Sequence, residues 1–195
     1  MLQKSYDMDS FRHLSDPILL KLKTAFEGPI GVFAEKVRFA KNEFLLSPGQ
    51  KCRYYYFITE GLLANYYIKD GEEVVTSFTF PGDIGVEFKS AVLKIVSKDY
   101  IKALSSVEAY RISVAEFDKK KHGNHELIEL ENELVVAYAL LLEERLYFLQ
   151  HNSAVERYNY LLSNYPEYIQ YIPLKYIASY LGVKLETLSR IRAQQ

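Results

Sequence analysis

Between Val37 and Val114 the chain is cut by turn-forming pairs: Pro48-Gly49, Glu60-Gly61, Asp70-Gly71 and Pro81-Gly82 fall 10 to 12 residues apart. Glycine reaches positive φ without strain and proline presets the first turn angle, so each pair favours a chain reversal. The segments between them are short and apolar or alternating, as strands are. Runs such as Tyr54-Tyr55-Tyr56 and Tyr66-Tyr67 suit a pleated surface, and β-propensity alone accounts for them in a chain with 17 Tyr and no Trp. Short strands at this spacing predict a small β-barrel or jelly roll.

On either side the pattern turns helical. Asp16-Pro17 is a helix start, a capping side chain followed by proline at the first helical position; Ile18, Leu22 and Phe26 follow at helical spacing, and Gly28-Pro29 stops the helix. Residues 124 to 151 contain neither Pro nor Gly and read as one long helix with two apolar stripes. Leu127, Leu130, Leu134, Ala137, Leu141 and Phe148 form one, with heptad-like spacing; Val135, Ala139, Leu142, Leu146 and Leu149 form its neighbour. One stripe can cover the chain's own barrel while the other meets a partner; the alternative is a helix buried on both sides in a monomer. We assign the first stripe to dimerisation.

Ser153 is a cap for a helix running to about Asn164, and Pro166 and Pro173 bracket a short connection. In the final stretch, YIASYLGVKLETLSRIRAQQ, Ile177, Leu181, Leu188 and Ile191 are apolar where two crossed helices would share a core. Ala178 is small where the helices must approach, and Gly182 sits at the turn. This is a helix-turn-helix pattern.

Composition excludes several classes. The net charge of −1 argues against a protein coated in basic patches, although residues 151 to 195 carry five Lys or Arg against three Glu. The start, MLQKSYDMDSFRHL, is too polar for a secretion signal, and no apolar run is long enough for a membrane span. With Cys52 as the only cysteine there is no internal disulfide and no iron–sulfur or zinc cluster, so a reducing cytoplasm is expected. His122 and His125 have the spacing of a metal pair but also of surface turn residues, the reading we adopt. No carboxylate pair, histidine–nucleophile arrangement or phosphate-cradling glycine loop suggests an enzyme.

In this order, the zones resemble the Crp/Fnr family of bacterial transcription regulators over nearly the whole chain. KNEFLLSPGQKCRYYYFITEGLLANYYIKDGEEVV looks like the family's early strands, FPGDIGVEF stands in the place of its phosphate-binding cassette, and ERYNYLLSNYPEYIQYIPLKYIASYLGVKLETLSRIR looks like its DNA-binding end. The resemblance implies an α+β chain: a cyclic-nucleotide-binding-like β-roll over residues 1–123, a dimerisation helix over 124–151 and a helix-turn-helix domain over 152–195. Only Ala193-Gln194-Gln195 follow the second reading-head helix, so the β-hairpin wing common in the family is expected to be missing.

Members that bind cyclic nucleotides place Gly-Glu on the ribose and, ten residues after the Glu, Arg followed by Ser or Thr on the phosphate. Glu87 matches, but Val86 precedes it with Gly85 displaced by one, and the later pair is Ser97-Lys98. The guanidinium is missing, and a lysine replaces a bidentate arginine poorly. The expectation is a degenerate pocket, unresponsive to cAMP, with no cofactor.

At the other end, the resemblance matches Glu186 and Arg190 to base-reading positions, with Thr187 beside them. Lys184, Ser189, Lys175 and Arg192 would hold DNA phosphates. A carboxylate accepts from cytosine N4 and Arg forks onto guanine, whereas the competing explanation for Glu186 and Arg190 is a surface i,i+4 ion pair. The expected partners are an inverted-repeat duplex and a second copy of the chain; RNA polymerase and an unidentified small-molecule effector are also admitted. The alternative is a ligand-binding or protein-interaction module of the same fold with vestigial DNA binding.

Overall fold

The computed structural model describes residues 21, 24–26, 28 and 30–194. The helix start expected at Asp16-Pro17 lies outside them, as do Ile18 and Leu22. Among the described residues, eight strands form two four-stranded antiparallel sheets. The first has the order β1 (Glu35–Phe39), β8 (Val107–Ser113), β3 (Tyr54–Glu60), β6 (Ile84–Gly85). The second has the order β2 (Phe44–Leu46), β7 (Tyr100–Ala103), β4 (Leu63–Lys69), β5 (Glu72–Thr79). This is the expected jelly-roll β-roll.

The turn pairs act as their chemistry requires. Asp70 and Gly71 both have positive φ, 53° and 82°, the pattern of a tight hairpin whose twist matches its strands, and Lys69 pairs with Glu72 across it. At Gly61, between β3 and β4, φ is 89° and an added Cβ would stand 2.2 Å from the Ser106 carbonyl oxygen. Only glycine lets the two chain segments approach so closely.

Alternation along the strands feeds three apolar clusters. Ile58, Leu63, Ile101, Ala103, Val107 and Ala109 fill the space between the sheets. On the outside of the first sheet, Phe57 and Ile112 meet Phe117 of α2 (Val114–Lys121) and Leu127 and Leu130 of α3 (His125–His151). On the outside of the second, Leu62, Ala64, Tyr66 and Val75 share one core with Phe148 and with the C-terminal helices. Those are α4 (Ala154–Asn164), α5 (Pro166–Ile169), α6 (Leu174–Tyr180) and α7 (Leu185–Ala193); a short α1 (Phe88–Leu93) follows β6.

Helix ends follow local capping rules. Asn124 accepts from the Leu127 amide at the start of α3, and Ser153 with Glu156 forms a reciprocal capping box at the start of α4. The connection expected between Pro166 and Pro173 contains the single turn α5.

Candidate functional site

The helix-turn-helix is built on its buried residues. Leu181 and Leu188 are fully buried, with Ile177, Ala178 and Ile191 around them, and these fix α7 across α6. Between the helices Gly182 takes φ 66°, and the Val183 amide donates to the Ala178 carbonyl at 3.0 Å. The opposite side of α7 faces outward: Lys184, Leu185, Glu186, Ser189, Arg190 and Arg192 are exposed and Thr187 is half-buried. The i,i+4 ion pair open to Glu186 and Arg190 is not formed; Arg190 Nη2 lies 3.5 Å from Thr187 Oγ1 instead. Lys184 precedes the helix without a side-chain cap, so the first amides of α7 are left to an outside acceptor.

Lys175, at the start of α6, differs from this group in being bonded within the chain. Its ammonium is bonded to the Glu73 carboxylate of β5, which also accepts from Tyr176 Oη at 3.0 Å. Burial opposes ionisation of Glu73, but the bonds from Lys175 and Tyr176 and the lysine's charge outweigh it and hold the carboxyl below its ordinary range. Ser179 Oγ accepts from the Val75 amide at 2.9 Å and donates to the Glu73 carbonyl at 3.1 Å. At the far end of α6, the Arg145 guanidinium of α3 bonds the Tyr180 carbonyl and lies 3.7 Å over the Tyr180 ring. Glu73, Ser179 and Arg145 carry no local sequence signal, because their partners are 35 to 106 residues away.

The cassette is satisfied from within. Glu87 caps α1, its carboxylate accepting from the Ser90 amide at 2.8 Å. Ser90 Oγ accepts from the Cys52 amide at 2.8 Å and donates to the Ile95 carbonyl. The Val86 carbonyl accepts from Asn65 Nδ2 at 3.0 Å. Ser97, where the phosphate-gripping arginine would stand, is buried in a turn: its hydroxyl accepts from the Asp99 amide at 2.9 Å, and its backbone bonds Gly49 and Gln50. Lys98 is exposed, and Gly85 is buried so tightly that an added Cβ would meet Leu63 Cδ1 at 2.8 Å. The ring of Phe88 stacks on Tyr138 of α3 at 4.8 Å, which ties the cassette to the long helix. Where the resemblance calls for an arginine and a following Ser or Thr, the chain has Ser97 and Lys98, and Glu87 is bonded within the chain.

The long helix corrects one assignment. Leu127, Leu130 and Phe148, assigned to the dimer face, are buried in the subunit's own cores, and Leu134 and Ala137 are half-buried. Of the six only Leu141 is exposed. The neighbouring stripe is the outward one: Val135, Ala139, Leu142, Leu146 and Leu149 are all exposed, continued towards the N-terminus by Asn132 and Ile128. Spacing reveals two adjoining stripes and cannot say which one the barrel takes. His125 lies 3.3 Å from Glu129, and among the described residues no group of three or more His, Cys, Asp or Glu could hold a metal ion. No described helix is long and apolar enough to cross a membrane.

Comparison with known proteins agrees with this geometry. Residues 36–122 match the family described as the cyclic nucleotide-binding domain. FixK2 from Bradyrhizobium japonicum superposes with a TM-score of 0.66 at 20% identity, covering 83% of each chain. A CooA mutant from Carboxydothermus hydrogenoformans gives 0.65 at 15% identity, covering 90% of this chain and 83% of that one. A regulator assigned to the Crp/Fnr family from Eubacterium rectale gives 0.65 at 16%, covering 91% and 85%. A search of curated proteins yields no match. Residues 36–122 are thus similar in sequence to the cyclic nucleotide-binding domain, and the chain shares the fold of these solved structures over most of its length.

Proposed function

We propose that the chain is a sequence-specific DNA-binding regulator of transcription in the cytoplasm, acting as a homodimer without a cyclic nucleotide. The outward side of α7 supports this reading above all: Glu186 and Arg190 are exposed, unpaired with each other and flanked by Lys184, Ser189 and Arg192. A carboxylate and a guanidinium exposed on a helix that enters the major groove can read C and G, and the flanking groups suit phosphates.

The partner copy would pack along α3. Ile128, Val135, Leu142 and Leu149 recur every seven residues, with Asn132, Ala139 and Leu146 between them, and all seven are exposed. Alternating steps of four and three are the seam of a two-stranded coiled coil, and one Asn in such a seam favours a single register. Two reading heads would then meet half-sites about one helical turn apart.

Selection of binding sites from random duplexes at stated salt concentrations tests the proposal. Enrichment of an inverted repeat containing a C and a G in each half-site is the expected result. No enrichment at low salt would leave a binding module of the same fold with vestigial DNA contacts.

A further inference from the structure

Lys175 was expected on a DNA phosphate, yet in the free protein it is held by a carboxylate. The arrangement is a bracket rather than a chance surface contact. β5 is an edge strand, and Glu73 and Val75, two residues apart, turn backbone groups to the same open side. Ser179 takes up one donor and one acceptor there, so α6 is fixed in register along the edge. That register brings Lys175 and Tyr176 onto the Glu73 side chain, while Tyr66 packs against Tyr176 with ring centres 5.7 Å apart. The Glu73 side chain is 26% exposed and that of Lys175 is 62% exposed, so the lysine remains open to solvent.

A carboxylate and a phosphate diester offer an ammonium the same thing, a singly charged pair of oxygens. A duplex approaching α7 meets at Lys175 a cation already neutralised by the Glu73 carboxylate. We propose that Glu73 is an intramolecular substitute for a DNA phosphate, displaced when the duplex binds, and that it lowers the protein's affinity for DNA. This rests on the DNA-binding reading above. The bracket places an acidic residue of the sensor β-roll in direct competition with the backbone of the ligand.

The test uses full-length protein and a mixed-sequence duplex, titrated across a series of salt concentrations. Glu73→Gln keeps an oxygen for Tyr176 and removes the charge. It should bind about two- to fivefold tighter at low salt, the scale of an exposed ion pair, and lose affinity with salt more steeply by about one ion. In a Lys175→Ala background the same substitution should have no effect on either quantity. Binding by Glu73→Gln that equals or falls below that of the unaltered protein would overturn the proposal and leave the DNA reading intact. Absence of duplex binding by every variant at low salt would overturn both.

Discussion

At the scale of single residues, Arg190 and Lys184 should separate by function. Arg190→Ala is expected to cost about 1–3 kcal/mol on the selected site and to relax one base position, whereas Lys184→Ala weakens all duplexes alike. Titration of both variants against the selected site and a single-base variant of it measures this. In the cassette, calorimetric titration with cAMP should show no micromolar binding, because Ser97 and Glu87 are committed to internal bonds. Asp83 offers a test by pH. Burial pushes its carboxyl up to about 6 from an ordinary 3.8, opposed by the Phe80 amide that it accepts. The folded state therefore favours the protonated form; the associated stability is full below pH 3.8 and is lost as pH rises through about 6. Asp83→Asn should flatten denaturant midpoints between pH 4 and 6 relative to the unaltered protein.

At the scale of elements, much was legible because its causes are local. Turn pairs, the capping residues Asn124 and Ser153, and the small and apolar positions of the helix-turn-helix depend on neighbours a few residues away, and the structure places them as expected. The allocation of the stripes on α3 was not legible in this way, since it depends on where the barrel surface lies. A strict seven-residue repeat does not decide it either, since Leu127, Leu134, Leu141 and Phe148 keep it as well as Ile128, Val135, Leu142 and Leu149. The fastening of α6 to β5 joins residues about a hundred positions apart and leaves no periodic trace. For α3 the expected outcome of Leu142→Glu is a monomer by light scattering, with the circular dichroism of a folded chain, because Leu142 is exposed within the subunit. The same substitution at buried Leu130 should unfold the protein instead.

At the scale of the whole molecule, the C-terminal helices are packed against the roll as one body with it. The outer face of the second sheet and the C-terminal helices share a core, and aromatic pairs such as Phe80–Tyr165, with ring centres 4.2 Å apart, line the junction. Thermal unfolding should accordingly be a single cooperative transition. Ser179→Ala strips partners from the Val75 amide and the Glu73 carbonyl and should lower stability by about 1–3 kcal/mol, measured by denaturant titration.

The same shared core limits how this architecture can be rearranged. The C-terminal helices cut out of the chain would carry Tyr158, Tyr176 and Leu161 into water, and the remaining roll would expose Leu62, Ala64 and Tyr66. Neither half is a portable cassette for chimeric regulators. Under the DNA-binding proposal, a change of specificity is expected to come from side chains on the outward side of α7, because exchanging the C-terminal helices would also require a matching replacement of β4 and β5.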